Sequence, residues 1–474
     1  MQFGAFTIDV ALIIAFLEQS TAFEIVIRVF AIGGWLVLVY LLFYAGINLY
    51  AKLRENKFMH DWKYVVLAID IPQLNVQTPK AVEQMFAHLA GSLNNPDLRE
   101  KFRDGFKQRC FSFEIVSIGG YIQFIVWTEV AFRDLIETTI YAQYPEAEIV
   151  EIEDYVSTVP DSFPNDDYDI WAADFALAEN DAFPIRSYRE FEHNISKDTV
   201  LKDPMGTLLE SFTRIGHGEQ MWLQIIVEPV NNHWKEKAIK QVKELIGEEE
   251  KHGKGIMGHI LDNPLMNELK KGLSEVNAQI LSGGNFEAEE AHEVKKDPNK
   301  LRYMTPGQVK VVELMEEKMA KIGFKTKIRG IYIGRKEVFS PTRGVNALIG
   351  AINQFNIPSA NSIVKKVHTG LRNVVKANRR KSVLMKAYKK RKIKIGANPY
   401  VLNIEELATI WHFPMSHVKT PMIQKAAVKS AEPPAGLPVE AIYDAPTFAP
   451  TEEVDTAPKF KTDTGEEIEF EKFG

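Results

Sequence analysis

The sequence has 474 residues, 45% of them hydrophobic and 25% charged, with 28 Phe and 7 Trp. That length and apolar content exclude wholesale disorder and allow two or three domains with buried cores. The one cysteine, Cys110, excludes a disulfide framework and a Cys-rich metal site, and the net charge of -6 says little until it is resolved along the chain.

From Val29 to Tyr50 the chain holds no charged residue. At about 1.5 Å per helical residue, such a run covers the roughly 30 Å hydrocarbon core of a bilayer. Trp35, Tyr40, Tyr44 and Tyr50 supply amphipathic rings for the headgroup levels. A cleaved leader would open on a basic region, whereas Asp9, Glu18 and Glu24 precede this run. The run is therefore predicted to be a transmembrane helix. Lys52, Arg54, Lys57 and Lys63 follow it and only Arg28 lies before it among nearby cations, so the large C-terminal part is expected in the cytoplasm. Residues 1–28 are then an extracytoplasmic or interfacial segment. Within them Phe3 to Leu17, apolar apart from Asp9, is open to reading as an interfacial helix or a second span.

Residues 63–154 read as a first soluble module. Tyr64 to Ile71 is an apolar strand closed by Pro72, and Thr78-Pro79 opens a helix through Ala81, Met85 and Leu89. Cys110–Val116 and Tyr121–Trp127 are two strands around Gly119-Gly120, a strong hairpin signal. A helix over Ala131–Tyr141 and a strand over Ala147–Glu153 complete a β-α-β-β-α-β order, that of the ferredoxin-like split βαβ unit. A second α/β module is expected over 165–360. It has helices from Pro204, Trp234 and Gly344, strands over Met221–Val230 and Phe324–Ile333, and a charged insertion at 247–302. The expected fold class is thus α+β, one transmembrane helix followed by tandem ferredoxin-like modules. Residues 431–474 are Pro-rich and acidic, as in an extended tail.

No catalytic chemistry is legible. Gly247 to Gly255 resembles a phosphate loop only faintly, with one residue too many, no Ser or Thr after its Lys and three glutamates. No G-x-S-x-G or H-E-x-x-H occurs, and His412 beside Trp411 and Phe413 reads as a packed histidine. The expectation is a non-enzyme without cofactor or bound metal.

The strongest charge feature is Phe339 to Ile404, which has no Asp or Glu. Val364, His368, Leu371 and Val375 recur at three- and four-residue steps, which predicts a basic amphipathic helix over 364–394 within a closing segment at 361–430. Its candidate binding residues are Lys365, Lys366, Arg372, Lys376, Arg379, Arg380, Lys381, Lys389, Lys390 and Arg391. Three readings stand open: a nucleic-acid surface, a surface for anionic inner-leaflet lipid, and a solvated face that offsets acidic segments of the same chain.

Two stretches carry a family resemblance. One runs from Phe111-Ser112-Phe113-Glu114 through Gly119-Gly120-Tyr121 to Tyr141-Ala142-Gln143-Tyr144-Pro145. The other is Glu405-Glu406-Leu407-Ala408 with His412-Phe413-Pro414, followed by Glu432-Pro433-Pro434. Together they resemble the membrane-anchored N-terminal part of type IV secretion and conjugation-associated bacterial proteins. The resemblance covers roughly Lys63 to Pro438. In that family these pieces lead into a HerA/FtsK-like ATPase, for which no phosphate-loop residues are found here. The resemblance implies an accessory or scaffold subunit of the bacterial inner membrane. Its partners would be a separate P-loop ATPase or other secretion subunits, possible DNA or anionic lipid, and further copies of itself. The alternative is a membrane-tethered nucleic-acid-binding protein that uses the basic helix.

Overall fold

In a computed structural model, the described residues are 35–72, 75–97, 99–193, 200–201, 203–246 and 304–415, with isolated residues before 35. The expected acidic tail, the whole of the charged insertion and most of 1–28 lie outside them. The chain divides into two compact units, Met1–Tyr64 with Leu93–Arg109 and Val65–Ser92 with Cys110–Gly474.

The first unit is built on helix α1, Trp35–Phe58, which is long and apolar enough to cross a membrane. Its outward side chains from Trp35 to Tyr50 are exposed throughout. The helix extends eight residues past the predicted end at Tyr50, because helical propensity does not stop where charge begins. A π-turn over Glu100–Asp104 packs on its C-terminal end. Gly105 permits the approach: it has φ 74°, and a Cβ there would stand 2.3 Å from the Arg54 carbonyl group. The Arg54 Nε donates to the Arg103 carbonyl at 2.5 Å. Close by, the Arg109 guanidinium lies over the Trp62 ring at 4.4 Å and the Phe58 ring at 5.4 Å.

The second unit is organised by one sheet of nine strands. Its elements in chain order are β1 (Tyr64–Asp70), α2 (Pro79–Leu89), β2 (Phe111–Ile118), β3 (Tyr121–Glu129), α3 (Arg133–Gln143) and β4 (Glu148–Ile152). There follow β5 (Tyr168–Leu177), α4 (Pro204–Thr213), β6 (Glu219–Pro229), α5 (His233–Ile246), α6 (Pro306–Ala320), β7 (Gly323–Arg335), α7 (Pro341–Asn353) and β8 (Ile363–His368). The last are α8 (Val374–Lys389), β9 (Tyr400–Asn403) and α9 (Ile404–Ile410). The sheet order is β8-β5-β7-β6-β2-β3-β1-β4, with β9 paired to the start of β7. The two halves have the same internal order and meet where β2 pairs antiparallel with β6, from Gln220 opposite Ile118 to Val227 opposite Phe111.

Alternation along the strands sorts side chains to two faces. Phe113, Ile115, Leu223, Ile225 and Ile328 face a large core closed by α2, α3, α4, α7 and α9. Val116, Ile125, Trp222, Ile331 and Ile333 face the other side, where Leu384, Met385 and Tyr388 of α8 cover them. A small third core joins α5 to α6 through Ala238, Val242, Val312 and Met315.

One expected element is corrected. Residues 363–368 form strand β8, antiparallel to β5, and the helix begins only at Val374, where the Asn373 side chain caps it by accepting from the Lys376 amide at 3.0 Å. The helical spacing of Val364, His368 and Leu371 is coincidental. β8 is the end strand of the sheet's main run, and lysines on an end strand are the usual protection of an exposed edge.

Candidate functional site

The ten predicted basic residues do not form one surface. Lys365 and Lys366 are exposed on β8, Arg372 is exposed in the turn before α8, and Lys376, Arg379 and Lys390 are exposed on or just after that helix. The other four are engaged. Arg380 donates to the His368 carbonyl at 3.0 Å, Lys381 pairs with Asp169, and Lys389 donates to the Val159 carbonyl. Arg391 is 3% exposed, with a left-handed φ of 45° that turns the chain down into the sheet.

Beneath α8 lies a feature that sequence reasoning missed. Glu114 of β2, Gln224 of β6, Arg329 of β7 and Asp174 of β5 stand directly opposite one another on four consecutive strands. All four are fully buried. Gln224 Nε2 donates to Glu114 Oε1 at 2.8 Å, Arg329 Nη1 donates to Gln224 Oε1 at 3.2 Å, and Arg329 Nε donates to Asp174 Oδ1 at 2.6 Å. Lys327 lies 3.4 Å from Asp174 Oδ2, and burial pushes its ammonium pKa down, against the pull of that carboxylate. Arg391 closes the other end on Glu114 and Asp154. The three cations and three carboxylates balance, which is the condition for tolerating charge in an interior.

Two tyrosines complete the row. Tyr155 Oη donates to Glu114 Oε2 at 2.8 Å and lies 2.8 Å from Tyr388 Oη of α8. Burial, with Glu114 nearby, pushes both phenols well above the ordinary tyrosine range, so they act as neutral donors. Gly396, at φ 93°, brings the Ala397 amide to Asp174 Oδ2 at 2.9 Å, and Arg329 Nη2 donates to the Ile395 carbonyl at 2.9 Å. The row therefore holds both α8 and the turn after it, and sets the orientation of the exposed cations. The detectable sequence signal was one charge inside each of two apolar runs, Asp174 within Ile170–Leu177 and Arg329 within Ile328–Ile333.

His412 sits in the other core. Its Nε2 lies 2.9 Å from Asp203 Oδ1 and its Nδ1 lies 2.7 Å from the Ala408 carbonyl. Asp203 also accepts from the amides of Met205 and Met415, at 2.7 and 2.9 Å. This carboxylate thus ties the N-terminus of α4 to the segment after α9. No group of three or more His, Cys, Asp or Glu among the described residues is placed to hold a metal ion.

A family described as a domain of unknown function, DUF8128, matches residues 71–426, more than half of the chain. The chain belongs to the DUF8128 family. No curated protein matches it. The DUF8128 match takes in seven of the eight strands of the main sheet order, the row from Glu114 to Asp174, and all ten basic residues. It begins one residue after β1, so α1 precedes the DUF8128 region.

Proposed function

We propose that the protein is a membrane-anchored scaffold subunit of a type IV secretion or conjugation-like translocation machine, held in the bacterial inner membrane by α1 with its sheet unit in the cytoplasm. A separate P-loop ATPase would be its working partner. The observation that carries the scaffold reading is the placement of charge in the sheet unit. The central polar row is taken up by internal bonds, while exposed cations are presented outward on β8 and α8. That is the arrangement of a rigid presenting surface. The resemblance of the Glu405–Ala408 and His412–Pro414 stretches supplies the machine and the ATPase, by analogy.

We read the two halves of the sheet as tandem ferredoxin-like modules. In support, strand order is β4-β1-β3-β2 in one half and β8-β5-β7-β6 in the other; the first runs β-α-β-β-α-β, and the second does the same with α5 and α6 added between its two middle strands. On this reading the second module closes with β8, beyond its expected end at residue 360.

Purification of the detergent-solubilised full chain after in-cell crosslinking tests the proposal. A P-loop ATPase among the crosslinked partners is the expected result, and its repeated absence counts against it. The nucleic-acid reading rests on Lys365, Lys366, Arg372, Lys376, Arg379 and Lys390, which carry no ion pair among the described residues. On that reading duplex DNA binds with a steep salt dependence. Reversing Lys376, Arg379 and Lys390 lowers the slope by about 0.9 for each phosphate that is no longer neutralised. An unchanged slope removes α8 from the interface.

A further inference from the structure

The contact between α1 and residues 99–109 falls at a level that the bilayer itself defines. The charge-free run ends at Tyr50, and Gly105 meets α1 at Arg54, four residues further on. At 1.5 Å per residue this is about 6 Å along the axis, within the headgroup layer of about 5–8 Å on each side of the hydrocarbon core. The π-turn at that level exposes Phe102, 41% accessible, between the exposed Lys101 and Arg103, with Arg99 one turn away. Lys52 and Lys57 are exposed on α1 itself. The turn also carries two exposed acids, Glu100, which accepts from the Asp97 amide at 3.0 Å, and Asp104 at its end, so the cations lead only on the side of Arg99, Lys101 and Arg103. An aromatic ring flanked by cations beside a membrane helix has the chemistry of a headgroup ligand: the ring favours the interface, and the cations favour anionic phosphates.

We propose that residues 99–109 form a headgroup-level collar on α1 that binds anionic phospholipid. The collar rests on reading α1 as a membrane span. It gives the sheet unit a second attachment to the bilayer surface, through the chain that enters β2.

The test uses the full chain in membranes. Cys110 is the one cysteine, so Cys110→Ser with Phe102→Cys takes a single environment-sensitive fluorophore at the collar. Retention of the wild-type chain in membranes after alkaline carbonate extraction is expected, and its release would overturn the span. In nanodiscs of phosphatidylcholine with phosphatidylglycerol the fluorophore should shift to the blue. In pure phosphatidylcholine it should shift much less. Reversal of Arg99, Lys101 and Arg103 to Glu should cut the preference of the unlabelled chain for phosphatidylglycerol by about fivefold per cation. These side chains are exposed, so the fold does not depend on them. A retained chain whose fluorophore responds equally in both bilayers, or in neither, overturns the collar alone, as does an undiminished preference in the triple variant.

Discussion

Arg391 and Glu114 lie 277 positions apart and close a two-point ion pair in the interior, Nε to Oε1 at 3.1 Å and Nη2 to Oε2 at 3.2 Å. The pair pins the turn after α8 to the strand at the junction of the two halves.

Removing one partner leaves the other charged and buried. Arg391→Met should destabilise the chain by about 3–5 kcal/mol, the usual cost of stranding a buried charge. Combining it with Glu114→Gln should recover part of that loss. Thermal unfolding of the detergent-solubilised chain, followed by intrinsic fluorescence, reads both. Equal stability of the single and wild-type chains would remove the pair from the stability of the fold.

The exposed cations should behave in the opposite way. Lys376→Glu, Arg379→Glu and Lys390→Glu should each change stability by no more than about 0.5 kcal/mol, as surface substitutions do. A loss comparable to that of Arg391→Met would show that they are engaged in solution.

Stability on the acid side should depend on Asp203. Burial alone would raise its carboxyl pKa, but His412 and the amides of Met415 and Met205 more than offset this and hold it below the ordinary aspartate value. A depressed folded pKa contributes stability that is fully present above the unfolded value, near 3.9, and is lost as pH falls through the folded one. Asp203→Asn should therefore lower the melting temperature at neutral pH and flatten its decline below about pH 4. A melting curve series from neutral to strongly acid pH checks the sign.

Two glycines give opposite predictions. At Gly396 a Cβ would stand 1.7 Å from Asp174 Oδ2, and the backbone is left-handed, so Gly396→Ala should cost about 2–4 kcal/mol. Gly350 lies inside α7 with nothing within 4 Å of an added Cβ. Gly350→Ala should stabilise by about 0.5–1 kcal/mol. Thermal melts of the two variants, set against the parent chain, decide both.

What could be read in advance followed from how far each side chain obeys its local pattern. The run Tyr64–Asp70, the Gly119-Gly120 hairpin and the Asp203-Pro204 helix start carry apolar alternation or a capping residue, and each forms where expected. β5 escapes notice because Asp169 and Asp174 interrupt its apolar run. Asp174 belongs there only because Arg329 lies opposite it on β7, a partner 155 positions away that no window of sequence contains. β8 is misleading for a related reason. A short end strand with one buried side chain has no alternation to display, so the three- and four-residue spacing of Val364, His368, Leu371 and Val375 imitates a helix. The candidate site inherits this limit. Composition identifies the basic stretch from Lys365 to Arg391, but only the fold separates the exposed Lys376 from the buried Arg391.

The packing of α5 against α6 also bears on how the sequence can vary. Val242 and Met315 share one small core, which draws together the chain on both sides of residues 247–303 and returns it to β7. A change in the number of residues between 247 and 303 is therefore taken up between two ends that the helix pair already holds together, and should leave β6 and β7 in register.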